Sequence, residues 1–424
     1  MFYGAAPFSL VGGWRAVGDV ATYATKEAAH LSEGHVVWCD QDGLVHDISG
    51  RGHWGINTAA DAGRAVGTPV AFTLTTPPTD DRDTYKYWAH VVYRDRDGHI
   101  HFLQRWANRY FRVPARVEPH GEDDPPPRYP IEERAATIID HWVATEGVRP
   151  GDLAASDPVA CYCPAFDTFE IVYRSHDGHI CRLYKDKGSR GGFRFRDIYA
   201  DIERGECTDT TRSYITDGGA VGRPYVWAWG SHTETTPLAG NMTIAWRLTN
   251  GHINVLTYWR WIDEFRVELP LVGRVDFLEV FAAPNTDRTF CFLERPTGIA
   301  GQRARTDPIG MHDGRRQVIA YTDDRQHLSL LYSWDDAYEA SWHWTYRDVT
   351  SEISAQARRG PRETAVPGLV SNRVGLPVLA TTSPAFVARD QYMVSTLDGV
   401  LTVRYDSPMG YSVERPSGGR VRRD

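Results

Sequence analysis

The sequence predicts an all-β protein, a single β-propeller of about six four-stranded blades, and three observations support this. A hairpin pattern repeats along the chain, further strand patterns recur on both sides of it, and the later copies are evenly spaced. Seven blades are the alternative, and one short inserted helix is expected. A closed repeat can absorb all 424 residues as one unit. We therefore expect residues 1–424 to form one domain.

Each copy of the hairpin is an apolar run, a tight turn and a second, alternating run. Asp-Gly or Asn-Gly at most of the turns supplies the positive φ that such a turn needs. An aliphatic column after the turn predicts a strand face packed on a neighbouring sheet, at Val45, Ile100, Ile180, Ile253, Leu328 and Leu401. A column before the turn is aromatic in five copies, at Trp38, Tyr93, Tyr173, Trp246 and Tyr321.

Two further strands flank each hairpin. The preceding strand begins with proline, which is tolerated at the first position of a strand, at Pro69, Pro158, Pro224 and Pro377. The following strand begins with an aromatic residue, at Trp54, Phe111, Phe193, Phe265, Trp342 and Tyr411. Four strands per repeat are typical of propeller blades. An extra copy of the outer strand at Gly13–Val17 is expected to pair with the last blade, or to belong to a partial seventh blade together with Thr289–Phe292.

Two long stretches interrupt the repeat, and we interpret them as insertions at 118–157 and 296–316. The first contains an acidic, proline-rich segment, Glu122–Pro127, that cannot be a strand. After it, Ile131 to Ala144 has the spacing of a short amphipathic helix. Loops of this length in a compact domain are usually functional or disordered.

Charge and composition exclude several classes of partner. A net charge of -8 and a pI near 6.1 argue against a nucleic-acid partner, which would require a basic face. No apolar run is long enough to span a bilayer, and the N-terminus does not resemble a signal peptide, so a cytoplasmic protein is expected. The six cysteines are then expected to be free thiols.

The sequence predicts no metal site and no cofactor, and it identifies no catalytic residue. His99 and His101 would share a strand face, but the His99 position recurs as histidine in three other copies, at His179, His252 and His327. A scaffold histidine bonded to a turn carbonyl is therefore favoured over a metal ligand. Asp140 and His141 resemble half of a catalytic dyad, although adjacent residues on a helix do not face each other.

Aromatic side chains are the best candidates for a binding site. Trp227 and Trp229 are predicted on an inner strand, Phe72 and Tyr162 occupy equivalent strands, and Tyr258 and Trp259 form a second cluster at a blade edge. Packing between blades is the alternative for both groups. The predicted ligand-binding residues are Phe72, Tyr162, Trp227, Trp229, Tyr258 and Trp259.

The hairpin Val91–Ile100, the strand Pro158–Ala160 and the aromatic outer strands resemble the blades of the fucose-binding lectin propellers of fungi and bacteria. The resemblance covers most of the chain. It implies sugar sites between blades, each with an Arg on one hairpin strand, a Glu on the next and an aromatic platform from the neighbouring blade. The position expected for Glu is occupied by Asp47, Phe102, Arg182, Val255, Leu330 and Val403. No Arg recurs in the preceding strand, so this set is predicted to be absent from every copy.

Two hypotheses for function follow. The first is a cofactor-independent cyclase that resembles the fungal hetero-Diels–Alderases of tropolone meroterpenoid pathways and acts on an apolar polyketide or terpenoid. Such catalysis depends on proximity in a shaped pocket and leaves little motif in a sequence. The second is a carbohydrate-binding lectin with altered sites. The predicted absence of the sugar-binding set, the uneven blades and the long loops favour the enzyme, which is the preferred hypothesis, and the family resemblance favours the lectin, which is the alternative. Either function implies a small-molecule ligand, and a homo-oligomer is compatible with both.

Overall fold

The structure, a computed structural model, confirms the all-β class, because its described residues form six sheets, four of four strands and two of five, each built on an antiparallel meander. It describes these residues: 16–17, 19–28, 31–49, 52–56, 63–76, 86–110, 132–133, 139–204, 209–210, 218–230, 240–261, 288–297, 303–312, 316–334, 343–359, 385–388, 391–396, 399–406 and 410–414.

The first three sheets follow one another along the chain. Sheet 1 contains β1 Ala21–Ala28, β2 Leu31–Cys39, β3 Val45–Ser49 and β4 Gly52–Gly55. Sheet 2 contains β5 Ala65–Thr76, β6 Lys86–Asp95, β7 Ile100–Tyr110, β8 Glu132–Glu133 and β9 Ile139–Val143, and β7 pairs with both β8 and β9. Sheet 3 contains β10 Val159–Cys163, β11 Thr168–Arg174, β12 Ile180–Asp186 and β13 Arg194–Asp197.

The second three sheets repeat the same meander. Sheet 4 contains β15 Ala220–Gly230, β16 Gly240–Leu248, β17 Ile253–Trp261 and β18 Arg288–Glu294, with β14 Asp209–Thr210 parallel to β18. Sheet 5 contains β19 Ile309–His312, β20 Arg316–Thr322, β21 Leu328–Trp334 and β22 His343–Asp348. Sheet 6 contains β23 Ala385–Ala388, β24 Gln391–Thr396, β25 Gly399–Asp406 and β26 Gly410–Glu414. The described helices are a 3-10 turn Pro150–Asp152, α1 Ile198–Glu203 and α2 Val349–Arg359.

Both predicted packing columns are buried. The aliphatic column is at most 1% exposed in the five sheets whose side chains are described, at Val45, Ile100, Ile180, Ile253 and Leu328. The aromatic column is at most 2% exposed in the same sheets. Each such side chain contributes about 1.5–3 kcal/mol through burial of its apolar surface. The hairpin pattern therefore marks the core of each sheet.

The predicted helix between Ile131 and Ala144 is wrong, because the described part of this stretch is extended. β9 pairs with β7, so that Trp142 lies opposite Phe102 and their ring centroids are 5.8 Å apart. Alternation along β9 places His141 and Val143 on one face. The pairing with β7 decides the conformation of a short segment whose spacing also suits a helix. The 118–157 insertion therefore supplies an outer strand of sheet 2.

Three other expectations about individual strands are corrected. The 296–316 insertion contains β19, the first strand of sheet 5, which follows directly after Pro308. Thr289–Phe292 lies in β18 and pairs with β17, so it belongs to sheet 4 and not to a seventh blade. At the N-terminus, Val17 N donates to the Cys39 carbonyl, 2.8 Å away, within sheet 1 and not in the last blade. Of the residues used in the sequence analysis, the following lie outside the described residues: Gly13–Arg15, Phe111, Glu122–Pro127, Phe265, Trp342 and Pro377.

Two of the predicted first-position prolines lie inside strands. Pro69 in β5 and Pro224 in β15 each follow a glycine of positive φ, Gly67 at 75° and Gly222 at 70°. The register with the next strand shifts at both places, which removes the ladder hydrogen bond that a proline could not donate.

These two bulges are fastened by an aspartate that stands before the proline of a later strand. Asp157 accepts a hydrogen bond from Thr68 N at 2.9 Å and forms an ion pair with Arg94 at 3.5 Å. In the second copy, Asp307 accepts from Arg223 N at 2.8 Å and pairs with Arg247 at 3.2 Å. The arginines that follow the aromatic column therefore have a structural role in these two copies.

The described residues group into two compact units. One unit contains Leu10–Ala160 and Arg190–Phe195, and the other contains Cys161–Ser189 and Arg196–Asp424. Cys39, Cys161, Cys163 and Cys181 are thiols and form no disulfide. Among the described residues, none of the helices has the length and apolar character needed to cross a bilayer.

Candidate functional site

A buried ion pair joins the two central strands of sheet 3. Glu170 on β11 accepts from Arg182 on β12 at two points, Nε to Oε2 at 2.7 Å and Nη2 to Oε1 at 2.8 Å. The Thr168 hydroxyl donates to the same Oε1 at 2.6 Å. The Glu170 side chain is fully buried, whereas that of Arg182 is 12% exposed. The carboxylate therefore lies inside, and the guanidinium forms the outer part of the pair.

Two tyrosine rings flank the Arg182 guanidinium. Its central carbon lies 4.6 Å from the ring centroid of Tyr184, on the same strand, and 4.8 Å from that of Tyr258, on β17 of sheet 4. Both distances are within the range of cation–π attraction. The site thus combines a carboxylate and a guanidinium from one sheet with an aromatic ring from the next.

Burial raises the pKa of Tyr258 to about 12, and the charges that act on this hydroxyl are those of Arg182, Asp201, Glu170 and Arg196. Tyr258 is 9% exposed. Burial alone lowers the pKa of Arg182, but the charge and hydrogen bonds of Glu170 outweigh it and raise that pKa. Both groups keep their protons at neutral pH and act as donors.

Cys161 and Cys163 on β10 lie close to this ion pair. Burial, together with the Glu170 charge, raises the pKa of Cys163 to about 12, and burial raises that of Cys161 well above its usual value. The two residues are therefore neutral thiols. A thiolate is the form that attacks electrophiles or ligates metals, so these cysteines contribute shape and not reactivity.

In sheet 3 the Arg that the resemblance expects before the turn and the Glu that it expects after the turn are both missing from those positions, as the sequence predicts. An Arg, a Glu and a neighbouring aromatic are present, but the strands are exchanged: Glu170 precedes the turn and Arg182 follows it. The sequence analysis looked for a Glu after the turn and found Arg182 at that position. It did not look for a Glu before the turn, where Glu170 lies. The available signal was a single Glu in the otherwise apolar core of strand β11.

The equivalent positions in the other described hairpins hold different pairs. Strand register aligns Glu170 and Arg182 with His35 and Asp47 in sheet 1, where the two side chains hydrogen-bond at 2.9 Å. In sheets 2, 4 and 5 the same positions hold His90 with Phe102, Thr243 with Val255, and Val318 with Leu330. Of these five hairpins, sheet 3 is the one with a guanidinium and a carboxylate.

The structure describes four of the six predicted ligand-binding side chains, and each of the four has different neighbours. Tyr258 belongs to the site just described. Phe72 stacks on the buried ring of His90 at 4.9 Å, and the Tyr162 hydroxyl donates to Asp167. Trp227 is 6% exposed and packs between sheets 4 and 5, where a Cβ on Gly310 would lie 2.2 Å from its ring. The side chains of Trp229 and Trp259 lie outside the described residues, and ligand binding by this group stays a prediction.

The recurring histidines are scaffold residues, but their side-chain partners are not turn carbonyls. The Nδ1 atoms of His99 and His252 lie 3.2 and 3.3 Å from the Thr145 and Thr297 hydroxyls. Those of His179 and His327 bond to Asp197 and Asp348, at 2.8 and 2.9 Å. Each of these partners lies after the hairpin, so the histidine fastens the turn to the outer part of its blade.

His101 and His141, which the sequence treats separately, form one chain of hydrogen bonds with Asp95. His101 Nε2 lies 3.1 Å from Asp95 Oδ2, and its Nδ1 lies 2.9 Å from Nε2 of His141. The planes of the two imidazole rings are nearly parallel, at 7° to each other, and His101 is 3% exposed. The structure therefore pairs His141 with His101 across two strands. Among the described residues no group of three or more His, Cys, Asp or Glu could hold a metal ion.

Comparison with known proteins gives structural likenesses alone. No protein-family model matches the chain, and no curated protein matches it. A fucose-specific lectin from Aleuria aurantia is 11% identical, with a TM-score of 0.40 over 96% of this chain and 98% of that one. AofleA from Arthrobotrys oligospora is 9% identical, with a TM-score of 0.42 over 96% and 89% of the two chains. The WD40 domain of SCAP from fission yeast scores 0.30 at 10% identity, over 89% and 80%. Likeness at these scores says nothing about the ligand of this chain.

Proposed function

We propose that this protein binds carbohydrate at one site beside Arg182, between sheets 3 and 4. The observation that supports the proposal is the Glu170–Arg182 pair with the Tyr258 ring of the next sheet beside it. Sugar hydroxyls both donate and accept hydrogen bonds, and a few fixed polar groups among aromatic rings give such a ligand its orientation. The small-molecule ligand expected from the sequence is, in this proposal, a sugar.

The proposal predicts one site in each chain. A lectin that gains avidity from many equivalent sites keeps the same groups in each blade. Here the equivalent positions in sheets 1, 2, 4 and 5 hold other residues. Binding should therefore saturate at a single equivalent of sugar and give the affinity of one monovalent site.

A glycan array followed by calorimetric titration of the best ligand tests the proposal. We expect binding at one equivalent, and we expect Arg182→Lys to weaken it because Lys cannot donate from a planar two-point fork. Arg325→Lys is the matched control. Arg325 also pairs with a buried carboxylate, Asp323, at 2.7 Å, but it lies in the hairpin turn of sheet 5. An array without any bound glycan would overturn the proposal.

The cyclase hypothesis has one supporting observation. Trp227 Nε1 is buried and has no hydrogen-bond partner among the described residues, so it could donate to a substrate carbonyl. However, its ring is packed between two sheets and is 6% exposed. We favour carbohydrate binding because the Arg182 side chain is partly exposed to solvent, at 12%, without any change in the structure. Turnover of an apolar polyketide or terpenoid by the purified protein would reverse this preference.

A further inference from the structure

Four buried polar side chains between sheets 4 and 5 have atoms without hydrogen-bond partners among the described residues. Trp227 and Asn241 belong to sheet 4, and Gln317 and Ser333 belong to sheet 5. The unpartnered atoms are Trp227 Nε1, both polar atoms of each carboxamide and Ser333 Oγ. Trp227 is 6% exposed, and the other three residues have no exposure. We call these four residues the polar cluster.

Strand alternation places the two sheet 4 members on the side that packs against sheet 5. Trp227 and Ala245 belong to one buried apolar cluster with Ile319 of sheet 5. Asn241 lies four residues before Ala245 on the same strand, and residues an even number of positions apart on a strand share a face. Asn241 therefore faces sheet 5, as Trp227 does.

Gln317 and Ser333 lie on the facing side of sheet 5. They are directly opposite each other in the register of β20 and β21. Gln317 lies two residues before Ile319, and Ser333 lies two residues after Leu331. Both aliphatic residues are in the apolar cluster that contains Trp227. Each sheet therefore contributes two members to the polar cluster.

The polar cluster is separate from the Arg182 site, because the two lie on opposite faces of sheet 4. Asn241 pairs with Trp259, and the next residue, Met242, pairs with Tyr258. Adjacent residues of a strand point to opposite faces, so Tyr258 faces sheet 3 and Asn241 faces sheet 5. Binding at the polar cluster would therefore be a function additional to carbohydrate binding.

Unpaired polar atoms are costly in a protein interior. A buried amide or hydroxyl without a partner loses its hydrogen bonds to water and gains none in return, and native proteins contain few such groups. The hydroxyls of Thr243 and Thr257, on the same face as Asn241, lie 3.3 Å apart and pair with each other, so they do not satisfy the Asn241 amide. Several unpaired groups at one interface indicate a site that gains its hydrogen bonds from a ligand.

We infer that the polar cluster binds an uncharged cyclic amide, which enters when sheets 4 and 5 part. A carboxamide presents an N–H donor beside a C=O acceptor, and a cyclic amide presents the complementary pair, so Asn241 or Gln317 can form two hydrogen bonds with one edge of such a ring. The four side chains are uncharged, and a charged ligand would be buried without a counter-ion among them. A flat ring also requires less separation of the sheets than a sugar does, and it offers a face to the Trp227 indole.

Titration with uracil and with N,N′-dimethyluracil tests the inference. Both molecules are uncharged and flat, but the methylated ring has no N–H donor. We expect roughly tenfold or greater preference for uracil, the range of one or two hydrogen bonds. Thymine, hypoxanthine and methyl glucoside complete the panel. Hydrogen exchange of the β16 and β20 backbone amides should slow when a ligand is bound.

Two variants of the polar cluster separate ligand recognition from folding. Asn241→Leu and Gln317→Met each replace a carboxamide by an apolar group of similar size, so each should raise the thermal midpoint of unfolding and abolish uracil binding. Asn254→Leu is the matched control, because Asn254 is equally buried, lies in the same sheet and accepts a hydrogen bond from Arg295 Nε at 3.0 Å. It should lower the midpoint and leave uracil binding unchanged.

Each outcome either supports the inference or overturns it. Preference for a cyclic amide that is lost in Asn241→Leu and Gln317→Met supports it. Equal binding of uracil and its methylated form overturns it, as does a panel in which no cyclic amide binds. Tighter binding of methyl glucoside that Gln317→Met abolishes overturns the ligand class. Lower midpoints in both variants would show that the carboxamides already have partners, which also overturns the inference.

The Arg182→Lys variant distinguishes this inference from the carbohydrate proposal. It should leave uracil binding unchanged, because Arg182 lies on the other side of sheet 4. Loss of uracil binding in Arg182→Lys would place the cyclic amide at the Arg182 site and overturn the inference. A protein that binds uracil and no glycan supports the inference and overturns the carbohydrate proposal.

Discussion

Glu170 and Arg182, twelve residues apart on adjacent strands of sheet 3, hold each other through two hydrogen bonds of 2.7 and 2.8 Å. The Glu170 side chain has no solvent exposure, so its negative charge is balanced by Arg182 and not by water. The same contact supports the structure of the sheet and positions the guanidinium beside Tyr258. Structural and binding roles can be separated, because removal of one partner and removal of both have different consequences.

Arg182→Met should lower the free energy of unfolding by about 3–5 kcal/mol, because it leaves the buried Glu170 carboxylate unpaired. The double variant Glu170→Gln, Arg182→Met should recover much of that loss, because the uncompensated charge is gone. Urea unfolding of the three proteins measures both effects. Equal losses in the single and double variants would show that the charge of Glu170 is not what destabilises the single variant.

Gly67→Ala should cost more stability than Gly147→Ala, although both glycines have the same positive φ, 75° and 76°. Each substitution carries the left-handed backbone penalty of about 1–2 kcal/mol. At Gly67 a new Cβ would also lie 2.0 Å from Asp157, which fastens the bulge of β5, whereas nothing lies within 4 Å of Gly147. Urea unfolding should show a further loss of about 1–3 kcal/mol at Gly67 alone. Identical losses would mean that Asp157 yields freely and does not fasten the bulge.

Acid should destabilise sheet 5 through Asp348. Burial alone raises the pKa of this carboxyl, but bonds from His327 and Ser351 outweigh it and hold the pKa below its usual value. A lowered folded-state pKa contributes stability that is complete above about pH 4 and is lost as the pH falls through the folded value. Asp348→Asn should therefore lower the urea midpoint at neutral pH, and its difference from the unmodified protein should shrink below about pH 4.

The control for this prediction is Asp324→Asn, an exposed carboxyl in the turn of the same sheet. It should change neither the midpoint nor its pH dependence. Asp348 also precedes α2 and accepts from Ser351 N at 2.8 Å, so about 1 kcal/mol of the neutral-pH loss reflects a missing helix cap. A difference that stays constant down to roughly pH 3 would exclude the carboxylate charge as its cause.

Asp95→Ser should be tolerated better than Asp95→Ala. Asp95 Oδ1 accepts hydrogen bonds from the backbone amides of Asp97 and His99, and Asp95 Oδ2 hydrogen-bonds to His101 Nε2. Ser175 occupies the same place in sheet 3 and accepts from the His179 amide at 3.2 Å, so a serine can hold this turn. Alanine removes the side-chain acceptor of the two turn amides and the partner of His101 Nε2, which should cost about 1–3 kcal/mol. Equal midpoints for the two variants in urea would show that the turn does not depend on this acceptor.

Much of the fold follows from local patterns in the sequence. Strand alternation and Asp-Gly turns act within about ten residues, so the buried columns at Ile100 and Tyr93 and the hairpins around them were predicted correctly. Segments without a local signature were missed. β9 has a spacing that suits either helix or strand, and its pairing with β7 decided between them. Thr289–Phe292 reads as a strand but does not show which sheet it joins.

The candidate site depends more on tertiary structure. By itself, the sequence determined that Arg182 stands at a position where the lectin resemblance expects a sugar contact, and that Tyr258 is a candidate aromatic. The structure decided that Glu170 is the partner of Arg182, because strand register places these two residues at diagonally neighbouring positions on adjacent strands. The structure also showed that the Tyr258 ring of the next sheet lies beside the guanidinium. This contact could not be predicted locally, because the packing of one sheet on another depends on the whole sheet and not on residues close to Tyr258 in sequence. The sequence thus specified the strands. Only their packing decided that the Glu170 carboxylate is fully buried and that the Arg182 guanidinium lies nearer the surface.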